Sequence, residues 1–253
     1  MLVEMAPEPM STLDPDMGAM VRTAMNGLGI TIHSGERVEA IETGHGKTAA
    51  AVVTDQRIIP TDLVVLGLGV RPNVALAQAA ASRAGRPAPS SPTCGCVPRS
   101  RVSGINLGGG YATFPGVVGT AVSKVCSLEI ARTGLKESEY VRAGFAHVTA
   151  TVKATTRAGY FPGATTITTK LIAEKCSGRL LGGQIVGEEG AAKRIDAIAT
   201  ALWNEMTVEN MVNLDLSYAP PFAPVWEPVL IAARKAWDAV EADIAAHVAP
   251  TSR

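Results

Sequence analysis

Charge of neither sign is in excess: Lys plus Arg and Asp plus Glu number 23 each. Without a net field or a long basic run, nothing draws the chain to nucleic acid or to an anionic membrane surface, so neither is an expected partner. No apolar run reaches the roughly 18 residues needed to cross a bilayer. The opening MLVEMAPEPMS lacks the charged, apolar and small-residue succession of an export signal, which makes the cytoplasm the expected location. Cysteine is sparse. Cys94, Cys96, Cys126 and Cys176 are too few and too irregularly spaced for a disulfide scaffold, and reduced thiols are expected. Aromatic residues make up 4% of the chain, so its core has to be assembled largely from aliphatic side chains.

What is present is a globular composition: 253 residues, 47% apolar and 18% charged, enough for one large domain or two smaller ones. LVEM is an apolar run followed by STLDPD, which offers a turn, an N-cap and Pro15 early in a helix. In DMGAMVRTAMNGLGI the residues Met17, Met20, Val21, Ala24, Met25 and Leu28 recur at helical spacing, and Gly27 and Gly29 supply the stop. ITIHSGERVEAIETG alternates like a strand, and TAAAVVTDQRIIPTDLVVLGLGV predicts further strands. The last of these, LVVLGLGV, is almost wholly apolar, which predicts a strand covered on both faces, as in a parallel sheet flanked by helices. This order predicts part of an α/β nucleotide-binding domain.

Periodicity then fails. SRAGRPAPSSPTCGCVPRSR, residues 82–101, carries arginines and prolines, no acid and hardly a bulky apolar residue, and reads as loop or linker. Its C-G-C has no further Cys or His at ligand spacing, so it is an incomplete zinc site and no metal is expected. Order returns from residue 106. YATFPGVVGTAVSKVCSLEIARTGL predicts a Gly-rich turn, a strand and a short helix, AHVTATVKATTRAGY a long strand, and TTITTKLIAE with RLLGGQIVG a hairpin turning at Gly178. Cys126 and Cys176 stand in strand-like contexts and are expected as small buried hydrophobes. EEGAAKRIDAIATALWNEM, residues 188–206, predicts a helix with Ile195, Ile198, Ala199 and Leu202 on one face and with Lys193 and Arg194 in solvent. A Pro-rich loop and a last amphipathic helix complete an α+β second domain.

Three stretches carry a resemblance. LVVLGLGVRPNVALAQAA resembles the end of the pyridine-nucleotide domain of flavin-dependent pyridine nucleotide-disulfide oxidoreductases, where the last strand runs into a G-x-R-P-N turn. GRLLGGQIVGEEGAAKRIDAIATAL and DLSYAPPFAPVWEPVLIAARKA resemble the C-terminal dimerisation domain of the branch holding coenzyme A-disulfide reductases, NADH oxidases and NADH peroxidases. With FPGVVGTAVSKVCSLEIARTGL they cover nearly the whole chain outside residues 82–101. The resemblance implies FAD and NAD(P)H as cofactors and a homodimer, or pairing with a homologue. It places Glu4, in LVEM, where the family's acid receives hydrogen bonds from the adenosine ribose; a solvated carboxylate at a strand end is the alternative. Gly67 and Gly69 would let backbone approach a cofactor, or else mark a bend, and Arg71 begins the turn that Pro72 fixes. Tyr218, in YAPPF, is similar to a tyrosine that in coenzyme A-disulfide reductases reaches across the dimer toward the partner's reactive cysteine. Tyr160, in RAGYFPGA, is similar to a second one, with Phe161 the other candidate for that position. A phenol there can donate to a thiolate or a sulfur leaving group; an interface aromatic supplying apolar area is the alternative.

The departures are as informative. The family's two G-x-G-x-x-G fingerprints and its redox cysteine have no counterpart, since GLGVRP and NLGGGY lack the spacing and the strand-to-helix context. Its flavin-contacting G-D segment should lie between Ala81 and Gly104, where the Arg- and Pro-rich stretch reads as a damaged junction or, alternatively, a linker. The expected organisation is a partial NAD(P)-binding (Rossmann-like) α/β domain over residues 1–81, an irregular junction over 82–105, and an α+β dimerisation domain over 106–250. The expected function is an oxidoreductase by descent that is inert alone. The alternatives are a dimerisation or assembly module, and an enzyme whose flavin domain comes from a separate subunit.

Overall fold

The computed structural model describes residues 1–69 and 96–248. The helices are α1 (Pro15–Gly27), α2 (Cys96–Leu107), α3 (Glu137–Ala143), α4 (Ile195–Trp203), α5 (Val208–Val212) and α6 (Pro228–Val248). The strands are β1 (Leu2–Glu4), β2 (Ile32–Ser34), β3 (Val38–Thr43), β4 (Ala49–Thr54), β5 (Ile58–Pro60), β6 (Ala121–Val125), β7 (Leu128–Gly134), β8 (His147–Thr155), β9 (Thr166–Glu174) and β10 (Leu180–Gly187). The chain divides into two units, residues 1–35 with 118–253 and residues 36–117.

In the first unit β1, α1 and β2 form a parallel crossover, with Leu2 beside Ile32 and Glu4 beside Ser34. Asp14 is extended at the N-cap of α1, and Pro15 occupies the first turn, where its missing N–H leaves no bond unmade. The helix stops at Leu28 and Gly29, the latter at φ +77°, a left-handed conformation that costs glycine no Cβ clash. The remainder of the unit is an antiparallel sheet in the order β6-β7-β10-β9-β8. β10 is buried along its whole length, which requires cover on both faces. On one face α4, α5 and α6 pack Ile195, Ile198, Met211, Val229 and Ala236 with Ile167, Leu171 and Ile185 of the sheet. On the other, α1 packs Met17 and Val21 with Ile130 and Val186, and Tyr140 of α3 lodges with Ile172 and Leu181. The strand period of two separates these sets. An α/β part with a parallel crossover, followed by an α+β domain, is therefore the observed class.

Between α1 and the sheet lies a charge cluster. Lys170 of β9, its side chain 4% exposed, reaches Asp14 at 3.0 Å, Asp16 at 2.9 Å and Glu137 at 3.2 Å. Gln184, opposite Lys170 on β10, donates through Nε2 to Asp14 Oδ2 at 2.8 Å and accepts from the Asp14 N–H at 2.9 Å. Asp14 Oδ1 also accepts from the Glu137 N–H. One carboxylate thus joins the start of α1, the start of α3 and the sheet. Burial alone would lower the Lys170 pKa; hydrogen bonds to Asp16 and Asp14 outweigh it and hold the ammonium above its ordinary range.

Crowding decides the glycines of LLGGQIVG. A Cβ on Gly182 would lie 2.7 Å from the Leu135 carbonyl oxygen, and one on Gly183 would lie 2.9 Å from Ile198 Cγ2 of α4. The pair lets neighbouring backbone and α4 close on the strand.

Four expectations differ from the structure. The segment predicted as a short helix in KVCSLEIARTGL is β7, which gains ladder bonds from β6 and β10 on its two edges; the helix, α3, comes after it. Ladder pairing on both sides overrides local helix preference. Cys126 and Cys176 are exposed, at φ +56° and +64°, in the β6–β7 and β9–β10 turns, where the corner points each thiol away from the core. In the second unit β3, β4 and β5 form an antiparallel meander around Ala51, Val52 and Ile59. The described part of LVVLGLGV is not a buried strand: no described strand pairs with it, and Leu63, Val65 and Leu68 are 78%, 85% and 86% exposed. An apolar run forms a buried strand only where partners exist to cover it. Finally, the junction expected to be irregular over residues 82–105 contains α2. Pro98 falls in its first turn, where proline is tolerated, and Gly108 to Gly110 close it, Gly109 at φ +83°. The Pro- and Ser-rich lead disguised that start. Among the described residues, no helix is long and apolar enough to cross a membrane.

Lys170→Met leaves the buried Asp14 carboxylate without its cation and is expected to cost about 3–5 kcal/mol in chemical denaturation. Because the folded pKa of Lys170 is raised, its contribution is full below the unfolded lysine value and fades as pH climbs through the folded one. The stability difference between wild type and Lys170→Met should therefore shrink in strongly alkaline buffer. A gap that stays constant there would contradict the assignment. Gly182→Ala, which drives a methyl group into backbone, should cost about 1–3 kcal/mol by the same assay.

Candidate functional site

Two connections of the first unit bring the predicted tyrosines together: residues 156–165 between β8 and β9, and residues 213–227 between α5 and α6. The first is pinched at its base, where the Thr156 N–H donates to the Thr165 carbonyl at 2.8 Å, and turned by the Phe161 N–H donating to Ala158 at 2.8 Å. Tyr160 stands on that turn, 79% exposed. In the second, the Ala219 carbonyl accepts from the N–H groups of Phe222 and Ala223, each at 2.9 Å, a turn that Pro220 and Pro221 stiffen. The Ala158 N–H donates to the Pro220 carbonyl at 3.1 Å and ties one connection to the other.

The result is a phenol pair. The Tyr160 phenol lies beside Tyr218, and this neighbour raises the Tyr218 pKa above its ordinary value of 10.0. When one hydroxyl donates to another, the accepting phenol keeps its own O–H for a third group. Around the two tyrosines Phe222, Val225 and Trp226 are exposed, and Trp226 also borders a depression of about 510 Å³ lined by Val212, Leu230, Ile231 and Arg234. Large apolar side chains left exposed close together in sequence are what a contact surface presents.

Arg194, expected in solvent, is the main residue that sequence reasoning missed. Its side chain is 11% exposed and pairs with Glu227, while Lys193 does lie in solvent beside Asp196. The partner stands in the Pro-rich loop, 33 residues along the chain, where no periodicity links the two.

The predicted cofactor residues fare differently. Glu4 closes the C-terminal end of β1, the position expected of a ribose acceptor, but its Oε1 accepts from the Ala6 N–H at 2.9 Å. Gly67 and Gly69 lie in the exposed, unpaired segment, where a Cβ on either would meet nothing within 4 Å, and Gly69 is at φ +73°. Arg71 lies outside the described residues, as does Cys94. The described residues do not fit FAD or NAD(P)H. The parallel crossover they contain opens its helix not with a glycine turn but with Asp14 and Asp16, whose carboxylates repel a pyrophosphate and are already engaged by Lys170. No described group of three or more His, Cys, Asp or Glu could hold a metal ion.

Comparison with known proteins agrees with the architecture. The family profile "Pyridine nucleotide-disulphide oxidoreductase" matches residues 1–87, and that of the family's dimerisation domain matches residues 120–229. The chain belongs to the pyridine nucleotide-disulphide oxidoreductase family. Family members use FAD and NAD(P)H. The chain is 36% identical over 216 residues to an NAD(P)H sulfur oxidoreductase (CoA-dependent) of Pyrococcus abyssi, covering 72% of this chain and 48% of that one. It is 33% identical over 269 residues to an NADH oxidase of Methanocaldococcus jannaschii, covering 93% and 59%. Among solved structures, an NAD-dependent persulfide reductase from A. fulgidus superposes with a TM-score of 0.84 at 30% identity, over 95% of this chain and 51% of that one. The chain spans about half the length of the relatives it matches. Residues 88–119, between the two family matches, include α2.

In this family member the phenol pair can be read directly by alkaline ultraviolet titration. Tyr218 should ionise above pH 10.0, and Tyr160→Phe should return it toward that value. An unchanged titration in Tyr160→Phe would remove the pair.

Proposed function

We propose that the chain is the dimer-forming part of an NAD(P)H- and FAD-dependent reductase acting on disulfide, persulfide or oxygen, and that alone it turns nothing over. The observation that carries this reading is the Tyr160–Tyr218 pair set in an exposed apolar surface. In the partner-completed site Tyr160 donates its free O–H to a sulfur atom, stabilising thiolate as it forms, and Tyr218 holds Tyr160 in place. Flavin and nicotinamide, when supplied by the complete assembly, carry the hydride chemistry. The described residues of this chain supply placement of a donor and a docking face. Phe222, Val225 and Trp226 then meet a second copy of the chain, and burying them contributes roughly 25 cal/mol for each Å² of apolar surface removed from water. The cytoplasm suits a site built for reduced sulfur.

A second reading is favoured by the same exposed surface: an assembly module that pairs with an intact homologue instead of with itself. Mass by light scattering separates the two, since self-pairing gives a dimer of the isolated chain.

The decisive measurement is the visible spectrum of the purified chain after addition of FAD and then NADH. No retained flavin and no bleaching are expected; a stoichiometric flavin bleached by NADH would overturn the reading. Phe222→Asp should move the chain from dimer to monomer, with the far-ultraviolet circular dichroism unchanged.

A further inference from the structure

Arg194 sits at the end of the short 3-10 turn Ala192–Arg194 that leads into α4, and its side chain is nearly enclosed. Each of its three guanidinium nitrogens donates. Nε donates to Glu227 Oε1, just before α6; Nη1 donates to the Gly190 carbonyl; Nη2 donates to the Thr156 carbonyl at 2.7 Å and to the Phe222 carbonyl at 3.1 Å. Two of these acceptors are significant by position. Thr156 is the base of the connection that carries Tyr160, and it is 2% exposed. Phe222 closes the turn that follows Tyr218. A single Nη2 therefore bridges the two connections.

We propose that Arg194, oriented by Glu227, is the positioning residue that fixes the connections carrying Tyr160 and Tyr218 relative to one another. The proposal rests on the phenol pair being the working part of the site, but the two can fail separately. The direct tie from Ala158 to Pro220 is one neutral backbone bond, whereas bonds from a charged donor are roughly twice as strong. Geometry also excludes a simple substitute. Lysine keeps the charge for Glu227 but has one nitrogen, which cannot serve carbonyls lying on three sides. The Glu227 side chain, 10% exposed, in turn needs a cation or a neutral replacement.

The test uses the full chain labelled with 3-fluorotyrosine and 19F spectra recorded through an alkaline titration, with Tyr160→Phe and Tyr218→Phe assigning the two signals. With Arg194 in place, Tyr160→Phe should shift the Tyr218 titration. In Arg194→Lys that coupling should vanish and Tyr218 should titrate at its ordinary value, while circular dichroism and cooperative unfolding show a folded chain. Glu227→Gln, which leaves an acceptor for Nε, should keep the coupling. If Arg194→Lys is folded and retains the wild-type coupling, the proposal is overturned. It is equally overturned if Glu227→Gln abolishes the coupling as completely as Arg194→Lys does, because the charge pair and not the reach would then place the connections. Should Arg194→Lys not fold, the double variant Arg194→Met with Glu227→Met replaces the buried pair by apolar side chains and takes the same reading: loss of coupling supports positioning, retention overturns it. A wild-type chain in which Tyr160→Phe leaves Tyr218 unmoved would instead sink the phenol pair itself, and that outcome is separate from any result at Arg194.

Discussion

One lysine holds the first unit together. Lys170 projects from a sheet whose other face packs the main apolar core, and it survives burial because Asp14, Asp16 and Glu137 surround it. Those carboxylates come from the starts of α1 and α3, so the ion cluster places both helices against one face of the sheet. Gln184 completes it by bonding both the side chain and the backbone of Asp14. Without the cluster, α1 would rest on the sheet only through the small apolar patch around Met17 and Val21. The N-terminal crossover and the antiparallel sheet form one unit for this reason, although the chain between them passes through another.

A second buried ion pair, Arg194 with Glu227, plays the corresponding part between the Tyr160 and Tyr218 connections. Both pairs join segments distant in sequence, and both use the directionality of charged hydrogen bonds where apolar packing would allow sliding. They differ in what they hold. Lys170 fixes helices against a sheet, while Arg194 fixes two connections that have little core of their own. Tyr160 and Tyr218 are exposed, so burial does not place them; their turns are set from below by Thr156, Ala158, Pro220 and Phe222. An aromatic surface held this way can meet a partner without first being ordered, which lowers the entropic cost of association.

The sequence by itself determined a good deal. The spacing of Met17, Val21 and their neighbours, with Pro15 and Gly29 as punctuation, defined α1. Alternation located β8 to β10, and the YAPPF and KRID stretches carried the family resemblance that the profiles match. These features are local, and local physics suffices to read them. What only the tertiary structure decided depends on partners far along the chain. LVVLGLGV is apolar enough for a buried strand, yet its described residues are exposed because nothing described pairs with them. LEIARTG became β7 because ladders on both edges outweighed its helical preference, and the cysteines turned outward because each stands at a corner with positive φ. The two ion clusters were hidden for the same reason. A lone Lys or Arg in sequence reads as solvated, and its burial becomes permissible only when carboxylates from remote segments arrive within about 3 Å, which folding alone arranges.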